Sequence, residues 1–164
     1  MLNDHGTLYQ DEGKFYKSID YFRTSIEKGN NDFGDNPDGL NKIKNNLADS
    51  LVEVGQYCEA EALYKEVIAS RKVVLNQDSF SSPNTMYSLL NVYCKRGDFK
   101  RAHEIAGQLI QLANTRKTTK ELALAYAQLA QSDVYDRQGC LEQSERICVA
   151  ILATHQINPK ATRS

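Results

Sequence analysis

Asparagine recurs in this chain at spacings that suit recognition. Asn45, Asn46, Asn84 and Asn91 fall in two stretches of helical period, beside Lys42, Asp49, Tyr87 and Lys95. One carboxamide donates to a carbonyl and accepts from an N–H, so a row of them can hold an extended peptide backbone whatever its side chains. Lys42 and Lys95 could attract an acidic segment, but Asp49 shares their face, as do Asp133 and Asp136 further along, and the mixture argues against a strong acidic preference. Those eight residues form the candidate peptide-binding set. An asparagine on an exposed helix is often only a solvated side chain, and that reading stays open for each.

Covalent or acid–base chemistry has little to work with. No P-loop, HExxH, GxSxG or glycine-rich dinucleotide motif occurs. His5, His103 and His155 are far apart in the chain, and Cys58, Cys94, Cys140 and Cys148 have neither metal-ligand nor paired spacing. Such cysteines read as small buried hydrophobes in a reducing compartment. The basic run Arg116-Lys117-Thr118-Thr119-Lys120 is short and lacks interleaved aromatics, so it reads as a solvated connection. A net charge of −1 with 25% charged residues carries no nucleic-acid footprint. No apolar run approaches ~18 residues, and no secretory segment follows Met1. The expectation is a soluble cytoplasmic chain that is no enzyme, with no metal, no cofactor, and neither nucleic acid nor membrane as partner.

The elements that must position the candidate residues repeat. From Asn45 to Ile68, Leu47, Ala48, Leu51 and Val54 keep helical period, Gly55-Gln56 breaks it, and Tyr57, Ala60, Leu63, Tyr64, Val67 and Ile68 resume it. That is a helical hairpin with a glycine ending its first helix. The layout returns every 42 residues: Gly13, Gly55, Gly97 and Gly139; Tyr9, Leu51, Tyr93 and Tyr135; Phe15, Tyr57, Phe99 and Leu141; Ser18, Ala60, Ala102 and Ser144; Ile26, Ile68, Ile110 and Leu152. Five columns in step imply four tandem hairpins. A hairpin of this size cannot bury its own apolar face, so each must stack on its neighbours.

These columns resemble the tetratricopeptide repeat, whose W-x2-L-G-x2-Y…A-x3-F pattern falls on Leu2, His5, Gly6, Tyr9, Ser18 and Phe22 in the first hairpin. It falls next on Lys44, Leu47, Ala48, Leu51, Ala60 and Tyr64, and then on Met86, Leu89, Leu90, Tyr93, Ala102 and Ala106. The fourth hairpin matches worst. The period exceeds the usual ~34 residues. With NNLA at Asn45 to Ala48, followed by G-x-Y-x-x-A-E-x-L-Y-K, it is similar to the kinesin-light-chain subtype. Segments 33–37 and 75–78 sit where that subtype carries a turn, whereas 114–121 replaces it after the third repeat. The resemblance implies an all-α, right-handed α-solenoid of four hairpins, in which first helices line a concave groove and second helices form the outer wall. It also implies that asparagines of the NNLA type contact cargo peptides, which Asn45 and Asn46 match residue by residue; Asn91 is a weaker carry-over. Asn3, Thr7 and Gln10 would share the groove in repeat one. The carboxylate-clamp variety is excluded, because Asn3 and Thr7 replace its first pair and Asn84 and Ser88 its last.

The expected repeats are 1–39, 40–82, 83–123 and 124–157, with 158–164 as a tail, all in one array. Residues 29–39 and 76–83 read as loops by their Gly, Asn, Asp, Ser and Pro content, whereas 113–122, without Gly or Pro, predicts longer helices. Leu2 already occupies the fourth consensus column, which suggests a cut inside a longer array or a non-native initiator. Gln128, Gln131 and Ser144 suggest that the fourth repeat caps its end, and nothing comparable protects the first. The expected function is a docking scaffold for a peptide or protein partner, with self-association through the N-terminal repeat. The alternative is a sensor or oligomerisation segment of a larger signalling protein of the STAND-ATPase kind.

Overall fold

The computed structural model describes residues 2–32, 37–74 and 81–115. It holds six helices: α1 (Leu2–Asp11), α2 (Phe15–Asp32), α3 (Pro37–Glu53), α4 (Tyr57–Val74), α5 (Ser81–Lys95) and α6 (Phe99–Thr115). No strand occurs among the described residues. The chain divides into two compact units, Met1–Val92 and Tyr93–Ser164. In the first, α2 packs on both α1 and α3, and α3 packs on α4, so successive hairpins stack as in a helical solenoid. The expected fourth hairpin and tail lie outside the described residues.

Three turns share one construction. Gly13, Gly55 and Gly97 take φ of 72°, 80° and 74°, a left-handed backbone that glycine adopts without a Cβ penalty. Each glycine N–H bonds the carbonyl three residues back, at Gln10, Val52 or Cys94, over 3.0–3.1 Å. The following N–H reaches five back, to Tyr9, Leu51 or Tyr93, over 2.8–2.9 Å. This pair of bonds is the Schellman closure, and it satisfies carbonyls that a helix end would leave open. The residue after each glycine then opens the next helix, its carbonyl accepting from Ser18, Ala60 or Ala102 at 3.1–3.2 Å. Those three small residues are fully buried. One turn of fixed geometry therefore ends each first helix and sets the approach of the second.

Packing is size-matched across two columns. Phe22 is fully buried, and a Cβ on Gly6 would stand 2.6 Å from its ring. The same columns hold Ala48 and Tyr64 in the next hairpin, both buried. Between hairpins, Ser18 Oγ and Ser50 Oγ meet at 2.9 Å in the core, and Arg23 donates two bonds of 2.9 Å to the Glu59 carboxylate at the surface.

The loops expected at 29–39 and 76–83 are shorter than composition indicates. Helix α2 continues to Asp32, α3 begins at Pro37, and α5 begins at Ser81 with Pro83 in its first turn. Proline suits a first helical turn because its φ is already helical and its missing N–H would have had no partner there. Asp38 adds negative charge at the α3 N-terminus. The boundaries drawn at 39/40 and 82/83 thus fall inside α3 and α5. Helix α6 runs on to Thr115, into the segment 113–122 where the absence of Gly and Pro predicts longer helices.

Candidate functional site

Lys42, Asn45 and Asp49 are three and four residues apart, which sets them on one face of α3. Asn84, Tyr87 and Asn91 repeat that spacing on α5. Both sets belong to the first unit, whereas Lys95, exposed at the end of α5, belongs to the second. Lys42 and Asn84 are exposed; Asn45, Asn46, Asp49, Tyr87 and Asn91 are half-buried.

Their hydrogen bonds separate them. Asn45 Nδ2 donates to Thr85 Oγ1 at 3.1 Å, and that hydroxyl donates to Asn45 Oδ1 at 3.3 Å. Thr85 is buried, so this carboxamide joins α3 to α5. Asp49 Oδ1 accepts from the Tyr64 hydroxyl at 2.5 Å, and Ser88 of α5 also hydrogen-bonds that phenol. Burial pushes the Asp49 carboxyl above its ordinary value; the Tyr64 hydrogen bond opposes this, and the Glu53 charge adds to it. Burial likewise drives the Tyr64 phenol far upward, so it stays a donor. Asn45 and Asp49 are thus bound into the fold beneath the candidate face.

The remaining amides are open. The Asn46 carbonyl on the backbone accepts from Gln10 Nε2 at 3.4 Å, but its carboxamide has no hydrogen bond among the described residues. The same holds for the carboxamides of Asn84 and Asn91, and Lys42 makes no ion pair there. Asn3 differs again: its Oδ1 is buried without a partner. It stands 42 residues before Asn45, but the residue 42 before Thr85 is Ile43, which offers no hydrogen bond.

The sequence reading missed Thr85, Ser88 and Tyr64 as polar partners, because their columns are defined by packing. It also missed Asn41, which is buried and donates to Ser70 Oγ at 3.1 Å. A surface hollow of about 500 Å³ lies instead beside the turns, lined by Lys14, Tyr16, Lys17, Glu53 and Val54, and includes none of the eight candidates. Cys94 is buried as a small hydrophobe would be, but Cys58 is exposed; Cys140 and Cys148 lie outside the described residues. Among the described residues no three His, Cys, Asp or Glu side chains could share a metal ion, and no helix is long and apolar enough to cross a membrane.

Residues 42–81 match the family model of the tetratricopeptide repeat. No curated protein matches the sequence. Among solved structures, BtubC (BKLC) from P. vanneervenii is similar with a TM-score of 0.78 at 18% identity, over 99% of this chain and 66% of that one. The nearly identical TPR-like repeats of a Podosopora anserina kinesin light chain are similar with a TM-score of 0.79 at 18% identity, over 98% of this chain and 76% of theirs. A variant of those repeats gives 0.80 at 17% identity, over 96% and 76%. The chain thus spans just under two thirds of the first relative. Repeats of this family are in general non-enzymatic scaffolds for protein interaction. The Schellman turns, the stacked hairpins and the matched segment agree: residues 42–81 match a tetratricopeptide repeat, and the described residues form helical hairpins whose fold is similar to that of solved kinesin-light-chain-like repeat solenoids.

Proposed function

We propose that the chain is a docking scaffold that holds an extended segment of a partner protein along the first helices of its hairpins. The observation that carries this reading is the division among the amides: Asn45 is spent on Thr85, whereas Asn46, Asn84 and Asn91 keep donor and acceptor open beside Lys42. Open carboxamides suit a peptide backbone, and Asp49 is occupied by Tyr64, which leaves Lys42 as the freer charge of that pair. Tyr87 extends the proposed contact set along α5, and the unpaired cysteine spacing fits a cytoplasmic setting.

The test is a peptide selected from a random library against the whole chain, with affinity read by fluorescence anisotropy. Replacing Asn46 and Asn91 together by alanine should weaken it by about 1–3 kcal/mol, because the peptide groups they satisfied are left unpaired. N-methylating the peptide backbone should weaken it similarly, while most single side-chain truncations should not. Unchanged affinity in the double variant would move the site off this face.

A further inference from the structure

We infer, resting on the docking reading above, that α3 selects a segment with an acidic and a basic side chain about three residues apart, the acid against Lys42 and the base against Asp49. The repeat supplies the comparison. One period of 42 residues on, the columns of Lys42 and Asp49 hold Asn84 and Asn91. At the same two places on successive first helices, one hairpin presents opposite charges and the next presents two open carboxamides. Amides suit the backbone of any sequence, whereas a cation and an anion favour particular side chains and repel others. Thr7 holds the column of Asp49 one repeat earlier, so among the described hairpins the charge at this place is confined to the second.

Both charges are within a ligand's reach. Lys42 is exposed and makes no ion pair among the described residues. Asp49 is half-buried, and the Tyr64 hydroxyl takes only its Oδ1. Tyr64 is buried and Ser88 also hydrogen-bonds its phenol, so that oxygen is fixed and the carboxylate is oriented with it. Oδ2 makes no hydrogen bond among the described residues and is not sealed from solvent, which leaves it for a donor from outside. Other carboxylates have a cation against them: Glu59 has Arg23, Glu66 has Lys44 and Asp98 has Arg101. Asp49 is held by a neutral phenol instead, and burial and the Glu53 charge both penalise its ionised form. A basic side chain at Oδ2 supplies the missing counter-charge.

Spacing sets the register. Lys42 and Asp49 are two helical turns apart, so they share one face of α3 about 10 Å apart along its axis. An extended chain covers that span in about three residues. A segment with like charges at both places would meet repulsion at one of them.

The experiment sequences the pool selected from a random peptide library against the whole chain, then measures one peptide by fluorescence anisotropy. The pool should be enriched for Asp or Glu about three residues from Lys or Arg. Exchanging the peptide's basic residue for glutamine should weaken binding to the wild type about fivefold. Asp49→Asn, which keeps an acceptor for Tyr64, should no longer distinguish the two peptides. Lys42→Glu should weaken the charged peptide about tenfold, and exchanging the peptide's acid for lysine should restore it. Lys42 is exposed, so this arm stays readable even where Asp49→Asn fails to fold. Asn91→Ala should weaken the charged and the neutral peptide alike. A pool that depends on Asn46 and Asn91 but carries no such charge pair overturns this inference alone, as does a charged peptide that Lys42→Glu leaves unaffected. A pool indifferent to those asparagines overturns the docking reading beneath it, and this inference with it.

Discussion

Asn45 and Asn46 adjoin in α3 and make different bonds. Asn45 exchanges two hydrogen bonds with buried Thr85, so truncating it to alanine removes a tie between α3 and α5 and should cost about 0.5–1.5 kcal/mol of stability. Asn46→Ala removes a side chain with no hydrogen bond among the described residues and should stay within about 0.5 kcal/mol of the wild type. Urea titration of the two variants checks the contrast, and equal losses would deny the division of labour between them. The two residues were legible as a pair, because NNLA stands out in the sequence; which of them is bound into the fold was not. That depends on a residue 40 positions away, and Thr85 has no counterpart in the second hairpin, where Ile43 holds its column. Asn41 was hidden for the same reason: Ser70, its partner, is on the facing helix.

At the scale of the element, the hairpin turn was the most legible feature. A glycine in step with an aromatic and a small residue leaves few other ways to close one helix and start the next, and the three described turns do this with the same bonds. Gly55 at φ 80° is therefore costly to replace although nothing stands within 4 Å of its Cβ site. Gly55→Ala should destabilise by about 1–2 kcal/mol through backbone strain alone. Gly107, which has equally open space but no left-handed φ, is the comparison: Gly107→Ala should be neutral or stabilising. Chemical melts of both variants separate strain from packing. Helix starts were less legible, because Pro37 and Pro83 carry the letter of a loop and the φ of a first helical turn.

For the whole molecule, constant periodicity implied stacking, since a lone hairpin cannot bury its apolar face, and the similarity to solved solenoids agrees. The division after Val92 left no mark in the sequence, for it cuts through α5 where the helical pattern is unbroken. Stability against pH is a property of the whole array, and two aspartates push it in opposite directions. Asp98 caps α6, accepting from the Arg101 N–H at 3.2 Å and from its guanidinium at 2.6 Å, and these bonds hold its carboxyl below the ordinary 3.8. Its contribution is present above that value and fades as pH falls through the lowered one. Asp49 is raised by burial, so between 3.8 and its folded value the native state binds the extra proton. Its contribution is complete below 3.8 and is lost as pH rises through the raised value. Asp49→Asn keeps an acceptor for the Tyr64 hydroxyl and removes the titration. The variant should therefore gain on the wild type as pH rises from acid to neutral. Asp98→Asn should lose on the wild type over the same rise, since the charge it lacks contributes in full only above 3.8. Urea midpoints across that range measure both differences, and parallel curves for Asp49→Asn and the wild type would show that the buried carboxylate does not titrate with folding.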